Sequence, residues 1–189
     1  FLLWDIVRKY FDEFNVWLAM KEIQKFFLND YCDNYLEIVK WKMLDSTNKN
    51  IKKIQYSSQM GLYYSFFNIL KLFAPIFPHI TEELYQNFYK NFEGQNSIHN
   101  LTFPLIENID KEIHLLDKEI SKLFEVFDLI RKNKSNNDIK YWEQTNCINI
   151  YCDSKYSFLS NYWHEILAIS RSKDISFKNN DLLSVNLEK

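Results

Sequence analysis

The chain has 189 residues, long enough for one sizeable core or for a core with an appendage. Its 47% apolar content, rich in Phe and Tyr, excludes a disordered chain, and two glycines with three prolines favour long helices over a many-turned sheet protein. The same scarcity removes phosphate-loop chemistry, because Gly61 and Gly94 cannot spell a glycine-rich loop, and a net charge of −2 gives no global argument for nucleic acid.

In "IVRKYFDEF" the apolar residues Ile6, Val7, Tyr10, Phe11 and Phe14 recur at helical spacing, and Asn15 offers a break. A longer helix follows to about Leu44. There Ile23, Phe27, Tyr31, Tyr35 and Val39 recur every four residues, Phe26 and Ile38 widen the stripe, and "DSTNKN" supplies loop and cap residues. The third helix runs from about Lys52 to Phe73, with "LYYSFFNILKLF" dense enough for burial on most sides. Ala74-Pro75 ends it, because the residue before proline is pushed out of the α region. "PHITEELYQNFY" restarts a helix, with Glu82 and Glu83 expected in its first turn, where the macrodipole favours acids. "GQNSIHNLTFP" reads as an irregular connector.

A fifth helix is expected over about Asp110 to Lys134. Ile113, Leu116, Ile120, Leu123, Phe127 and Ile130 form its stripe, and Arg131, Lys132 and Lys134 complement its C-terminal end. Beyond "KSNND" the pattern changes. "CINIYC" alternates like a strand, "SFLSNYWHEILAIS" is helical, and "DISFKNNDLLSVNLE" reads as two short strands around an Asn-Asn-Asp turn. The expected fold is mainly α: a helical bundle over residues 1–134 and a small α/β appendage, strand-helix-strand-strand, over 135–189.

Chemistry is sparse. Cys32, Cys147 and Cys152 are odd in number and form no CxxC pair, which suits a reducing, cytoplasmic setting. No run of 18 apolar residues exists to cross a membrane. The first residue, Phe1, already lies in helical periodicity with no positive n-region, which reads as a domain cut from a longer chain. Asp30, Asp33 and Glu37 share one helical face, but a carboxylate metal bundle needs Glu-x-x-His motifs on partner helices, and the chain has none. The reversed pair His79-x-x-Glu82 starts a helix, where His79 is expected to cap or pack. Glu37 is instead expected to pair with Lys40. Cys32 lacks a nearby base, and no Ser–His–Asp order stands out, so neither a metal ligand set nor a catalytic residue is assigned. What remains is a basic run around "EIVKWKML": Lys40, Lys42, Lys49, Lys52 and Lys53 against Asp45 alone. Lysines and an aromatic at a helix corner can hold a phosphate backbone and stack an unpaired base. A solvated helix end has the same composition.

Three segments together are more specific than any one: "FFLNDYCDNYLEIVKWK", then "LKLFAPIFPHITEELYQ", then "SIHNLTFP". They resemble the anticodon-binding domain of class I aminoacyl-tRNA synthetases, most closely the valine-specific branch. That family's aromatic FCDWYLE helix with K-x-[RK] appears as Tyr31 to Glu37 with Lys40 and Lys42. Its LLxPxxPFITEELW stretch appears as Leu70 to Tyr85, and its SIHxxxWP stretch as Ser97 to Pro104. "DLIRKNKS" is similar to its IRxxKS segment. Asn34 and Tyr85 stand where tryptophan is frequent, and His79 where phenylalanine is usual. Isoleucine-specific members share the architecture.

The resemblance implies a helical bundle that docks the anticodon stem-loop of a tRNA, valine tRNA first, and holds it for a catalytic domain of the same polypeptide. It implies ATP with magnesium as used by that catalytic domain and no cofactor, DNA or membrane partner here. The HIGH and KMSKS signatures that handle ATP are missing, so the chain is expected to be inactive alone. The residues expected to touch tRNA are Lys40, Lys42, Lys49 and Lys52 at phosphates, Trp41 and Asn34 at bases, and Arg8 at the flank. A helical scaffold that binds only protein is the rival from another class.

Overall fold

The computed structural model describes residues 2–44, 51–102 and 111–188. They fall into two compact units, Phe1–Asp33 with Lys42–Ile109, and Asn34–Trp41 with Asp110–Lys189.

The first unit is helical. α1 (Leu2–Asp12) and α2 (Val16–Lys25) are joined at Asn15, whose side chain caps α2 by accepting from the Leu18 N–H at 3.3 Å. Phe14 does not extend the buried stripe of α1. It lies past the helix end at φ 55, with 92% of its surface exposed. The Asn15 N–H reaches back to the Tyr10 carbonyl (2.8 Å) and the Phe14 N–H to the Phe11 carbonyl (3.0 Å), a Schellman closure that places Phe14 where glycine is preferred.

From α2 the helix continues through a ten-residue π-helical stretch, Phe26–Tyr35, into α3 (Leu36–Leu44). This accounts for the strict four-residue recurrence of the stripe. In an α-helix each step of four drifts about 40° around the axis, so the stripe would leave its face. The i→i+5 bonding of a π-helix winds more residues into each turn, so four-spaced residues drift the opposite way there and offset the drift of the preceding α-helical turns. Ile23, Tyr31 and Val39 are all buried.

α4 (Ile51–Phe73) and α5 (Pro78–Phe88) follow, with Pro78 in the first turn, where its missing N–H costs nothing. α6 (Lys90–Glu93) closes on Gly94, whose φ of 74 is the left-handed conformation that glycine adopts without strain. Ile98–Asn100 form a 3₁₀ turn. Two cores result: Val7, Ala19, Ile23 and Leu72 in one, and Phe67, Leu70, Ala74, Tyr85, Tyr89 and Ile98 in the other. Glu82 and Glu83 are not in the first turn of α5, which holds no acid. The exposed His79 neither caps nor packs, since the cap position is Phe77.

The second unit is built on α7 (Lys111–Asn136) and a three-stranded sheet of β1 (Thr145–Cys152), β2 (Ser172–Asn179) and β3 (Ser184–Glu188). β1 is central, parallel to β2 and antiparallel to β3. The two strands read around the Asn-Asn-Asp turn therefore flank β1 and do not pair with each other. A parallel pair needs a crossover. It is supplied by a 3₁₀ stretch, Ser154–Tyr162, and α8 (Trp163–Ser170), where the sequence had suggested one helix. Ile148 and Ile150 of β1 bury against Leu123, Val126, Phe127 and Ile130 of α7 and Ile166 and Ile169 of α8, with Ile38 packed alongside. Of the expected α7 stripe, Leu116 and Ile120 remain exposed. The three cysteines are free thiols. No helix among the described residues is long and apolar enough to cross a membrane.

Candidate nucleic-acid interface

In the second unit, Asn34 at the end of the π-helical stretch and Glu37 of α3 meet the C-terminal part of α7 and the turn after it. Asn34 is 4% exposed, and its carbonyl oxygen accepts from Nη2 of Arg131 at 2.7 Å; Nη1 of Arg131 donates to Asp128 at 3.0 Å. The structure thus places Asn34 behind Arg131, which is half-buried and carries the charge of that corner. Lys40 is exposed and pairs with Glu37 one turn before it, as the spacing predicted. The other carboxylate oxygen of Glu37 accepts from the Tyr141 hydroxyl at 3.4 Å. Burial of that hydroxyl, then the charge of Glu37, pushes its pKa up, against the pull of Arg131 and Arg171. The guanidinium of Arg171 lies 5.8 Å from the Tyr141 ring centroid. Trp41 is half-buried with its ring 5.6 Å from that of His164. Lys40, Tyr141 and Arg171 are thereby gathered by one carboxylate and one ring, with Arg131 near enough for its charge to act on the Tyr141 hydroxyl. The sequence reading had no means to find Tyr141 or Arg171, since they come from segments about 100 and 130 residues away from Lys40.

In the first unit, Lys42 lies half-buried in the last turn of α3, and Gln55 of α4 donates to the Met43 carbonyl at 2.9 Å, tying the two helix ends into a corner. Lys52 and Lys53 are exposed in the first turn of α4, where positive charge opposes the macrodipole. An anion at that corner would offset the repulsion. Lys49 falls outside the described residues. Arg8 is exposed on α1 and lies 4.0 Å from Asp12. Its neighbour Val7 packs on Leu72, at the opposite end of α4 from Lys52 and about 30 Å away at 1.5 Å per residue. Arg8 is therefore not part of the lysine corner.

The first unit also has an open hollow of about 760 Å³ lined by Tyr31, Tyr63, Phe66, Phe88, Phe92 and Glu93, among others. Tyr63 donates to Glu93 at 2.8 Å. Burial, then that bond and the carboxylate's charge, drives the Tyr63 hydroxyl pKa up, and burial pushes that of Tyr89 up to about 12. A carboxylate in an apolar wall repels phosphate, so this hollow does not extend the basic surfaces. Asp30, Asp33 and Glu37 gather no further ligands: among the described residues no three His, Cys, Asp or Glu side chains are grouped to hold a metal ion.

Residues 3–147 match the family model described as the anticodon-binding domain of tRNA ligase. The chain is similar to the valine–tRNA ligase of Rickettsia canadensis, 43% identical over 122 residues that cover 64% of this chain and 14% of that protein. It is also similar to the valine–tRNA ligases of Rickettsia prowazekii (31% identical, 98% of this chain, 25% of that protein) and Rickettsia felis (32% identical, 89% and 19%). The chain spans a quarter or less of the length of these relatives.

Proposed function

The chain belongs to the anticodon-binding domain family of tRNA ligases, and from that membership we propose that it docks the anticodon stem-loop of valine tRNA within a longer, cytoplasmic valine–tRNA ligase. The observation that carries this reading is the family match over residues 3–147, a span that includes the lysine corner and, of the second surface, Lys40, Arg131 and Tyr141 but not Arg171. The relatives are valine–tRNA ligases, which favours valine over isoleucine.

Lys40, Lys42, Lys49 and Lys52 act at phosphates, which position the RNA without reading its sequence. Trp41 and Asn34 belong to the face that meets unstacked bases, Asn34 by holding Arg131 in place. Arg8, at the far end of α4, contacts the RNA flank. Most of the docking falls to residues 1–134, expected as the bundle, although α7 packs with the sheet of residues 135–189 in one compact unit. The whole ligase uses ATP with magnesium in a catalytic domain elsewhere in the polypeptide. The HIGH and KMSKS signatures that handle ATP do not occur in these 189 residues, and no step of valine activation is assigned to them.

The test is binding of valine and isoleucine tRNA transcripts to the chain at two salt concentrations. Valine tRNA should bind more tightly, with log K falling linearly in log salt. In the double variant Lys40→Glu, Lys42→Glu the slope should become shallower by about 1–2. Affinity and slope unchanged in that variant would remove the lysines from the interface. No salt-dependent binding by the wild type would leave the protein-scaffold reading.

A further inference from the structure

We propose that the turn Lys140–Glu143 is a stacking platform for one unpaired RNA base, with Trp142 as the ring on which the base lies, a platform that presupposes the tRNA-docking reading above. Trp142 is 67% exposed, and Tyr141 beside it is also exposed. A single exposed ring needs no explanation, but two adjacent ones on a fixed backbone make a contiguous aromatic surface. The backbone that carries them is tightly held. The Glu143 N–H donates to the Lys140 carbonyl at 2.9 Å, and the Lys140 N–H donates to Oε2 of Glu143 at 3.3 Å. From beneath, Nζ of Lys134 donates to the carbonyls of Tyr141 (3.2 Å) and Glu143 (2.9 Å), with the lysine only 2% exposed.

Burying an ammonium is expensive, and its two bonds fix a turn whose side chains face solvent. That combination is preorganisation: the ordering cost of the ring's carrier is met before the ligand arrives. The charges around the rings suit a polyanion. Nζ of Lys140 lies 5.7 Å from the Trp142 centroid, and Arg171 flanks Tyr141. Aromatic faces bordered by cations take single-stranded nucleic acid, the base on the ring and the phosphate on the cation. The Tyr141–Glu37 hydrogen bond and the Glu37–Lys40 pair connect the turn to Lys40, so one strand of RNA can engage both.

The experiment titrates the full chain and its Trp142→Phe and Trp142→Ala variants with a valine-tRNA anticodon stem-loop, reading tryptophan emission and affinity. The wild type should show quenching that Trp142→Phe markedly reduces, the remainder coming from Trp41. Trp142→Ala should bind about tenfold more weakly, and Trp142→Phe should keep most of the affinity. Equal affinity in all three with identical quenching would overturn the platform. Loss of binding in the Lys40→Glu, Lys42→Glu variant would then show that the docking reading survives without it. If the wild type binds no stem-loop at all, the docking reading itself fails and the platform with it.

Discussion

The Ser97 hydroxyl donates to Oε2 of Glu82 at 2.7 Å, and the Ile98 N–H donates to the same oxygen at 3.1 Å. Gln86 donates to the other oxygen at 2.6 Å, and the His99 ring lies 3.9 Å away. Glu82 is thus the latch between α5 and the Ser-Ile-His turn, and it seats Ile98 in the core beside Tyr85. Burial acts to raise its pKa, but the bonds from Gln86, Ser97 and Ile98, with His99, outweigh it and hold the carboxyl below its ordinary value. A carboxyl depressed in the folded state contributes stability that is present above its unfolded pKa and is lost as pH falls through the folded one. Denaturant unfolding of Glu82→Gln against wild type should therefore show a difference of about 1–3 kcal/mol at neutral pH that narrows on acidification below the ordinary carboxyl range. A difference independent of pH would show that the charge of Glu82 is not what matters.

Phe14→Gly should stabilise the chain. The phenyl ring is almost wholly exposed, so little packing is lost, while glycine relieves the left-handed backbone. After the entropy that glycine adds to the unfolded state, a net gain of about 0.5–1 kcal/mol remains, visible as a higher thermal midpoint. A lower midpoint would show that the unfolded-state entropy added by glycine outweighs the backbone relief.

Lys134→Met should destabilise by about 1–3 kcal/mol, because the Tyr141 and Glu143 carbonyls lose their donor. Burial, then Arg171, pulls the Lys134 pKa down, with Glu143 opposing. The folded state thus disfavours the proton, and the lysine's contribution should grow as pH rises through its folded pKa toward the ordinary lysine value. Urea midpoints of both proteins across the alkaline range check the sign.

Asn34→Leu should cost about 1–3 kcal/mol by removing the acceptor of Nη2 of Arg131, whereas Asn34→Asp keeps that acceptor and adds an opposite charge. The aspartate variant should melt at or above wild type. If both variants melt as wild type and only RNA binding changes, Asn34 meets RNA directly and does not act through Arg131.

Much of what is buried was legible in the residues alone, although Phe14, Leu116 and Ile120 belong to the apolar stripes and lie exposed. The four-residue recurrence from Ile23 to Val39, the dense α4 segment and the Pro78 restart each encode burial through local periodicity and backbone sterics. So did the basic helix end at Lys40 and Lys42 and the strand-helix-strand-strand order of the tail. Periodicity names a buried side, not its partner. Only the tertiary structure decided that α7 covers the sheet, that β1 separates β2 from β3, that Asn34 turns inward to Arg131, and that Glu82 holds Ser97. The clearest case is the pair Glu37 and Lys134. In the sequence one looks like a candidate metal ligand and the other like a solvated helix end. Their roles, bridging Lys40 to Tyr141 and clamping the turn of Trp142, depend on groups 7 to 104 positions away that local spacing cannot reveal.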